Sequence, residues 1–229
     1  MSPKRREPSI LRGSSWLRDE RGVALIITLL TMMLLSALGL ALTLTTSTEM
    51  RVSSAYAGSA EVFYAADAAF ERSTQDLLLI PDWNLVLGGV VRSSLVDGVP
   101  GPRQRPDGSV LDLQRETDRL NCGGATCGPW GANNPRWQLF AHAPLADVSP
   151  AQAINSRIYV VVWVGDDATE NDGQPLVDGD TTAGPNPGEG LIQLLVHAYG
   201  PGPTRREVEG TLKRQDARMR VLSWREVRQ

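Results

Sequence analysis

The chain reads as an α+β protein, with a long N-terminal helix packed on an antiparallel β-sheet head. Three observations predict this. Residues 23–48 form an uncharged and largely apolar run, a proline-free alanine-rich run follows through residue 80, and β-rich segments crowd residues 157–227. The 229 residues, with a net charge of -3 and an ordinary apolar fraction, suit one globular domain plus an additional element and argue against wholesale disorder. The mild acidity gives no case for nucleic-acid binding.

The strongly apolar part, Val23 to Leu44, is 22 residues long. As a helix it spans about 33 Å, enough for a hydrocarbon core of about 30 Å. A cleaved secretory signal has an apolar core of roughly 7–15 residues, so this run is too long for one. It is apolar all round, which does not suit a helix buried on one face of a soluble protein. Residues 1–22 hold Lys4, Arg5, Arg6, Arg12, Arg18 and Arg21 against Glu7, Asp19 and Glu20. Such a basic flank stays in the cytoplasm, placing everything after about residue 50 on the other side. The expectation is a single-pass protein of a bacterial inner membrane with a periplasmic C-terminal head.

The helix is expected to continue. Between Glu49 and Ile80 there is no proline, and Tyr56, Phe63, Phe70 and Leu77 recur every seven residues, a stripe that packs a helix against a partner. Pro81-Asp82 is a natural stop.

Beyond Pro81 the chain turns rich in Gly, Pro and Asn. Short apolar pieces at Trp83–Val91, Ser109–Leu113 and Trp137–Phe140 read as short strands or irregular loops. Arg157–Val164 is dense in β-branched and aromatic residues, as a buried strand is. Leu191–Tyr199, Arg206–Arg214 and Arg218–Val227 follow. In the third of these four, Val208, Gly210 and Leu212 alternate with Glu207, Glu209, Thr211 and Lys213, so one face meets a core and the other water. The sheet offers the helix stripe its partner.

Two features carry a family resemblance. A basic leader ends in Arg21-Gly22 directly before the apolar run, and Phe63-Tyr64-Ala65-Ala66-Asp67-Ala68-Ala69 is an alanine-rich signature placed further down the same helix. Both resemble type IV prepilins and type II secretion pseudopilins, most closely the minor pilins of the PilX type. The resemblance implies a leader at 1–22, a transmembrane half-helix at 23–48, an amphipathic half at 49–80 and a β-rich head at 81–229. It implies cleavage after Gly22 by a membrane aspartyl prepilin peptidase, leaving Val23 as an N-methylated first residue. Other pilins and minor pilins, the inner-membrane assembly platform and a tip adhesin are its implied partners, and the extracellular pilus a further destination. Tyr56, Phe63, Phe70 and Leu77 become helix-packing residues of such a subunit.

One departure is informative. Most major pilins carry Glu at the fifth mature position, here Ile27. A carboxylate in hydrocarbon is costly unless paired, and in the family it is thought to meet a neighbour's free amine. Its lack implies a subunit at the tip, or one that primes assembly. The alternatives are a tip pseudopilin of a type II secretion system, or a membrane-anchored binding or envelope domain unrelated to pili.

Cys122 and Cys127 enclose a glycine-rich loop, NCGGATCG, where an extracytoplasmic disulfide fits. The segment between the first two of the four long strands carries Asp166, Asp167, Glu170, Asp172, Asp178, Asp180 and Glu189, with no Lys or Arg from 158 to 204. Its simplest reading is a solvated acidic loop. Calcium favours such oxygen ligands, although no EF-hand loop fits; a basic partner surface is the other reading. The last 25 residues hold eight Arg or Lys against four acids and could pair with this loop, within the head or across a subunit interface. No nucleophile elbow, zinc-binding H-E-x-x-H, phosphate loop or supported Cys–His pair occurs, so an assembly subunit without catalytic residues or an obligatory cofactor is expected.

Overall fold

A computed structural model describes residues 20–105, 107–123, 136–148, 155–170, 172–179 and 188–227. Internal contacts divide the chain between Ser54 and Ala55. One helix, α1 (Glu20–Leu79, 60 residues), supplies elements to both units.

In the first unit the described side chains from Gly22 to Ser54 are all exposed, although most are apolar. The few hydroxyls do not break the helix. Thr31, Thr43 and Thr45 donate to the carbonyls of Ile27, Gly39 and Ala41 at 2.7, 2.9 and 3.0 Å. A hydroxyl tied to the carbonyl one turn back needs no water, so it is tolerated in an apolar environment. Among the described residues this is the one helix long and apolar enough to cross a membrane.

In the second unit, α1 buries Val62, Ala65, Ala66, Ala69, Phe70, Ser73 and Leu77. Steps of three and four residues make one helical ridge. The ridge differs from the heptad expected at Tyr56, Phe63, Phe70 and Leu77. Phe70 and Leu77 lie in the core, Phe63 is half-buried at its rim, and Tyr56 is 78% exposed. Residues 55–57 are exposed on every side of the helix, so at Tyr56 the stripe has run past the sheet that covers its later members.

The head is a five-stranded antiparallel sheet in the order β3-β4-β5-β6-β7, where β3 is Gln138–Pro144, β4 Tyr159–Asp166, β5 Leu191–Tyr199, β6 Arg205–Gln215 and β7 Arg218–Val227. With α1 it makes the α+β, pilin-like arrangement. The α1 ridge covers one face, against Val160, Val162, Val164, Leu194, Val196, Val208 and Leu212. The other face of the central strands is covered too, which explains why every residue of β4 is buried. A small hairpin, β1 (Pro102–Gln104) with β2 (Val110–Asp112), leads into α3 (Leu113–Cys122). Leu111, Leu113 and Leu120 pack there on Tyr159, Val161, Trp163 and Leu195. Trp163 Nε1 donates to Thr117 Oγ1 at 2.8 Å.

The sequence reading expected only strands or loops here, and α3 is the difference. Its residues LQRETDRLNC are too polar to show an apolar run; the signals are its ends. The Asp112 side chain accepts from Arg115 N, and Gly123 closes the helix at φ 62°. Trp83–Val91 also differs, containing the single turn α2 (Asn84–Leu87). Trp83 folds inward there and donates its Nε1 hydrogen to Leu77 O at 3.1 Å, a carbonyl at the end of α1 that also accepts from Ile80 N at 3.2 Å.

The two sheet edges are unequal. Along β3, residues 93–97 are hydrogen-bonded to its outer side, through Ser93 N to Phe140 O, His142 N to Leu95 O and Asp97 N to His142 O at 3.0, 3.0 and 2.8 Å. β7 pairs with β6 and is the last strand.

Candidate assembly surface

Around Gly22 nothing lies within 4 Å of where a Cβ would sit, and Val23 and Ile27 are each 56% exposed. The run that follows them offers no charge through Thr48. Such a continuous apolar surface is not stable in water and requires lipid or other helices around it.

In the second unit the outward side of α1 carries Tyr56, Glu61, Tyr64, Asp67 and Glu71. Tyr64 stacks edge-on against Phe63 at 5.5 Å, and Phe63 edge-on against Trp224 of β7 at 5.8 Å. Above this aromatic string Arg206 pairs with Glu226 at 2.9 Å and donates from Nε to Ser59 Oγ at 3.1 Å. Tyr56, Ser59, Phe63, Tyr64, Arg206 and Glu226 line a shallow notch beside β7.

Sequence patterning passed over the device that ends the helix. Arg214 of β6 donates to the carbonyls of Leu77, Ile80 and Pro81 at 3.3, 2.5 and 2.6 Å, and its guanidinium lies 4.0 Å over the Trp83 ring. It also faces the Asp178 carboxylate, whose pKa burial raises and Arg214 opposes. One residue of the basic C-terminal stretch therefore meets the acidic segment within the head.

The first part of that segment is not the solvated loop expected, although Glu189 at its end is exposed. Asp166, Asp167, Glu170 and Asp172 are all buried. The chain folds back on its own carboxylates. Asp166 Oδ1 accepts from Asp167 N at 3.0 Å, Asp167 from Thr169 N and Oγ1 at 3.1 and 2.6 Å, Asp172 Oδ1 from Gln174 N at 2.8 Å, and Asp178 Oδ1 from Gly190 N at 2.7 Å. Side chains satisfied by nearby amides stay buried where free ones would seek water. Burial raises the pKa of Glu170, helped by its hydrogen bond with Asp166, and burial raises that of Asp166 too. What the pair supports chemically is sharing a proton. Asp180 lies outside the described residues. Among the described residues, no group of three or more His, Cys, Asp or Glu is arranged to hold a metal ion.

A second polar cluster sits under α3. His197 Nδ1 lies 3.1 Å from Tyr199 Oη, and its Nε2 is 3.2 Å from Glu207 Oε2. Glu207 also pairs with Arg205 at 3.2 Å. Glu207, expected on the watery face of its strand, is 8% exposed because these partners replace water. Burial lowers the His197 pKa and holds the ring neutral. His142 is likewise buried, its Nδ1 3.2 Å from Tyr159 Oη, and burial lowers its pKa to about 4. Both histidines serve the core.

Of the two cysteines, Cys122 ends α3, and Cys127 lies outside the described residues, as does the leader through Asp19. The exposed apolar helix followed by a buried ridge is where the comparison with known proteins falls. Residues 21–71 match the family model described as PilX N-terminal, a segment that takes in Gly22, Val23, Ile27 and the alanine-rich signature and stops short of the sheet. No curated protein and no solved structure matches the chain.

Proposed function

We propose that the chain is a minor pilin of the PilX type, a non-enzymatic subunit that primes a type IV pilus or stands at its tip. One observation supports this most: one helix carries an exposed, uncharged surface over residues 23–48 and, further along, a ridge from Val62 to Leu77 roofed by a sheet, and residues 21–71 of it match the PilX N-terminal model. The exposed half is suited to two environments in turn. Held in the inner membrane as a single span, it keeps the head periplasmic, as the basic flank directs. Extracted into a fibre, the same surface packs among the helices of other pilins, with the assembly platform driving the transfer.

In this reading prepilin peptidase cuts between Gly22 and Val23, and the new amine of Val23 is methylated. Ile27 sets the subunit's place. Without a carboxylate there, the subunit cannot neutralise a neighbour's amine, yet its own amine remains available to a subunit carrying that acid. It therefore suits the end of a fibre, where a tip adhesin is the natural partner. Cys122 pairs with Cys127 to close the loop after α3, in keeping with an oxidising periplasm and with Cys122, the one described cysteine, not being a free thiol.

Deleting the gene in the producing bacterium tests the role. Loss of surface fibres, restored by the wild-type chain, is expected. Unchanged fibre number and function would overturn a priming or tip role.

A further inference from the structure

We infer that the free edge of β7 is a docking site for an extended, acidic segment of another protein, added as a sixth strand of the sheet. The reasoning concerns the head alone and stands independently of whether the chain enters a fibre.

Three features of β7 lead there. It is ten residues long and pairs with β6 from Gln215↔Arg218 to Glu207↔Val227, and no backbone hydrogen bond to its other side occurs among the described residues. The opposite edge is covered by residues 93–97, so the head treats its two edges differently. An exposed edge of this length is a template for strand addition.

Next, its apolar side chains are half-exposed. Val221, Leu222 and Trp224 show 44, 48 and 41% of their surface. Trp224 continues through Phe63 to Tyr64, giving an incoming strand an aromatic wall to lean on.

Charge then selects the occupant. The register sets Arg220 beside Lys213 and Arg218 beside Gln215 on one sheet face, and Lys213, Arg218 and Arg220 have no ion pair among the described residues. The remaining charges on the strand are already matched, Arg225 with Glu209 at 2.8 Å and Glu226 with Arg206 at 2.9 Å. With Asp216, in the turn between β6 and β7, the three cations Lys213, Arg218 and Arg220 leave a net charge of +2. A second copy of this chain is a poor occupant. In the fully overlapped antiparallel register, β7 against β7 places Arg220 opposite Arg225, and like charges opposite each other are destabilising. The arginines, with the bulge at Leu222 between Thr211 and Leu212 pairings, keep the edge from joining its own kind. A strand with carboxylates at alternate positions and apolar residues between them removes that repulsion and fills the wall.

The test uses the full chain in detergent micelles and a fluorescent ten-residue peptide of alternating Glu and Val, with a Lys–Val peptide as control. Binding is read by anisotropy and the site by amide hydrogen exchange. The Glu–Val peptide is expected to bind and to slow exchange at alternate amides of β7. The double variant Arg218→Glu/Arg220→Glu should weaken it about fivefold, while exchange in β4 and β5 stays as in the wild type and shows the head intact. Equal binding of the Lys–Val peptide, binding without protection of β7, or no binding of the Glu–Val peptide would each overturn the proposal.

Discussion

The ring of Phe70 on α1 rests on the bare backbone of Gly210 on β6. A Cβ at position 210 would lie 2.7 Å from two of the ring carbons and 2.8 Å from Ser223 O. The same relation recurs in the turn after β5, where a Cβ at Gly200 would come within 2.5 Å of Val62. The helix thus sits deeper than a side chain at Gly210 of β6 or at Gly200 in the β5–β6 turn would permit, and close packing of this kind tolerates little added volume.

Gly210→Ala is therefore expected to lower stability by about 1–3 kcal/mol, the usual result of forcing atoms into a filled core. Thermal unfolding of the full chain in detergent checks it. A midpoint equal to wild type would mean that helix and sheet are not in contact there.

Phe70→Ala and Tyr56→Ala should separate sharply. Phe70 is 2% exposed and Tyr56 78%. The first should cost about 3–5 kcal/mol and the second stay within about 0.5 kcal/mol of wild type. The seven-residue spacing makes the two aromatics look equivalent, and denaturant titration distinguishes them.

Arg214→Lys tests the clamp at the end of α1. Lysine keeps the charge but cannot present a planar fork to three carbonyls while lying flat on Trp83. A loss of about 1–2 kcal/mol is expected, with faster hydrogen exchange at the last turn of α1. Exchange unchanged at that turn would remove the clamp.

Glu170→Gln tests the shared proton. The folded-state pKa of Glu170 is raised above its unfolded value by burial and by Asp166. Its contribution is thus fully present below the unfolded pKa, about 4.3, and is lost as pH rises toward the folded one, because the unfolded chain releases the proton first. Stability of the wild type should fall with pH above about 5 on this account, and the amide, which cannot ionise, should flatten that slope and stabilise the chain at neutral pH. Denaturant midpoints measured from pH 5 to 9 decide it. Gly188 belongs to the same arrangement: a Cβ there would overlap the Glu170 carboxylate.

Legibility in the sequence followed physical cause. The apolar run, the strands Leu191–Tyr199 and Arg218–Val227 and the inward set Val208, Gly210 and Leu212 were readable because burial writes a period into the chain. Helix α3 was not, since it touches the sheet mainly through Leu113 and Leu120 and is otherwise polar, leaving only Asp112 and Gly123 as signals. Buried acids at 166–172 and the pair His197–Glu207 were also hidden. Composition reports how polar a segment is, and not whether its own amides and neighbours will satisfy it in the interior. Tyr56 shows the opposite failure, a periodicity that extends past the surface it packs on.

Mass spectrometry of the N-terminal peptide from membrane-extracted protein bears most directly on the assembly reading. A chain beginning at Val23 with a methylated amine is the expected result. A retained leader, or a cut within the apolar run beyond residue 37, would contradict it.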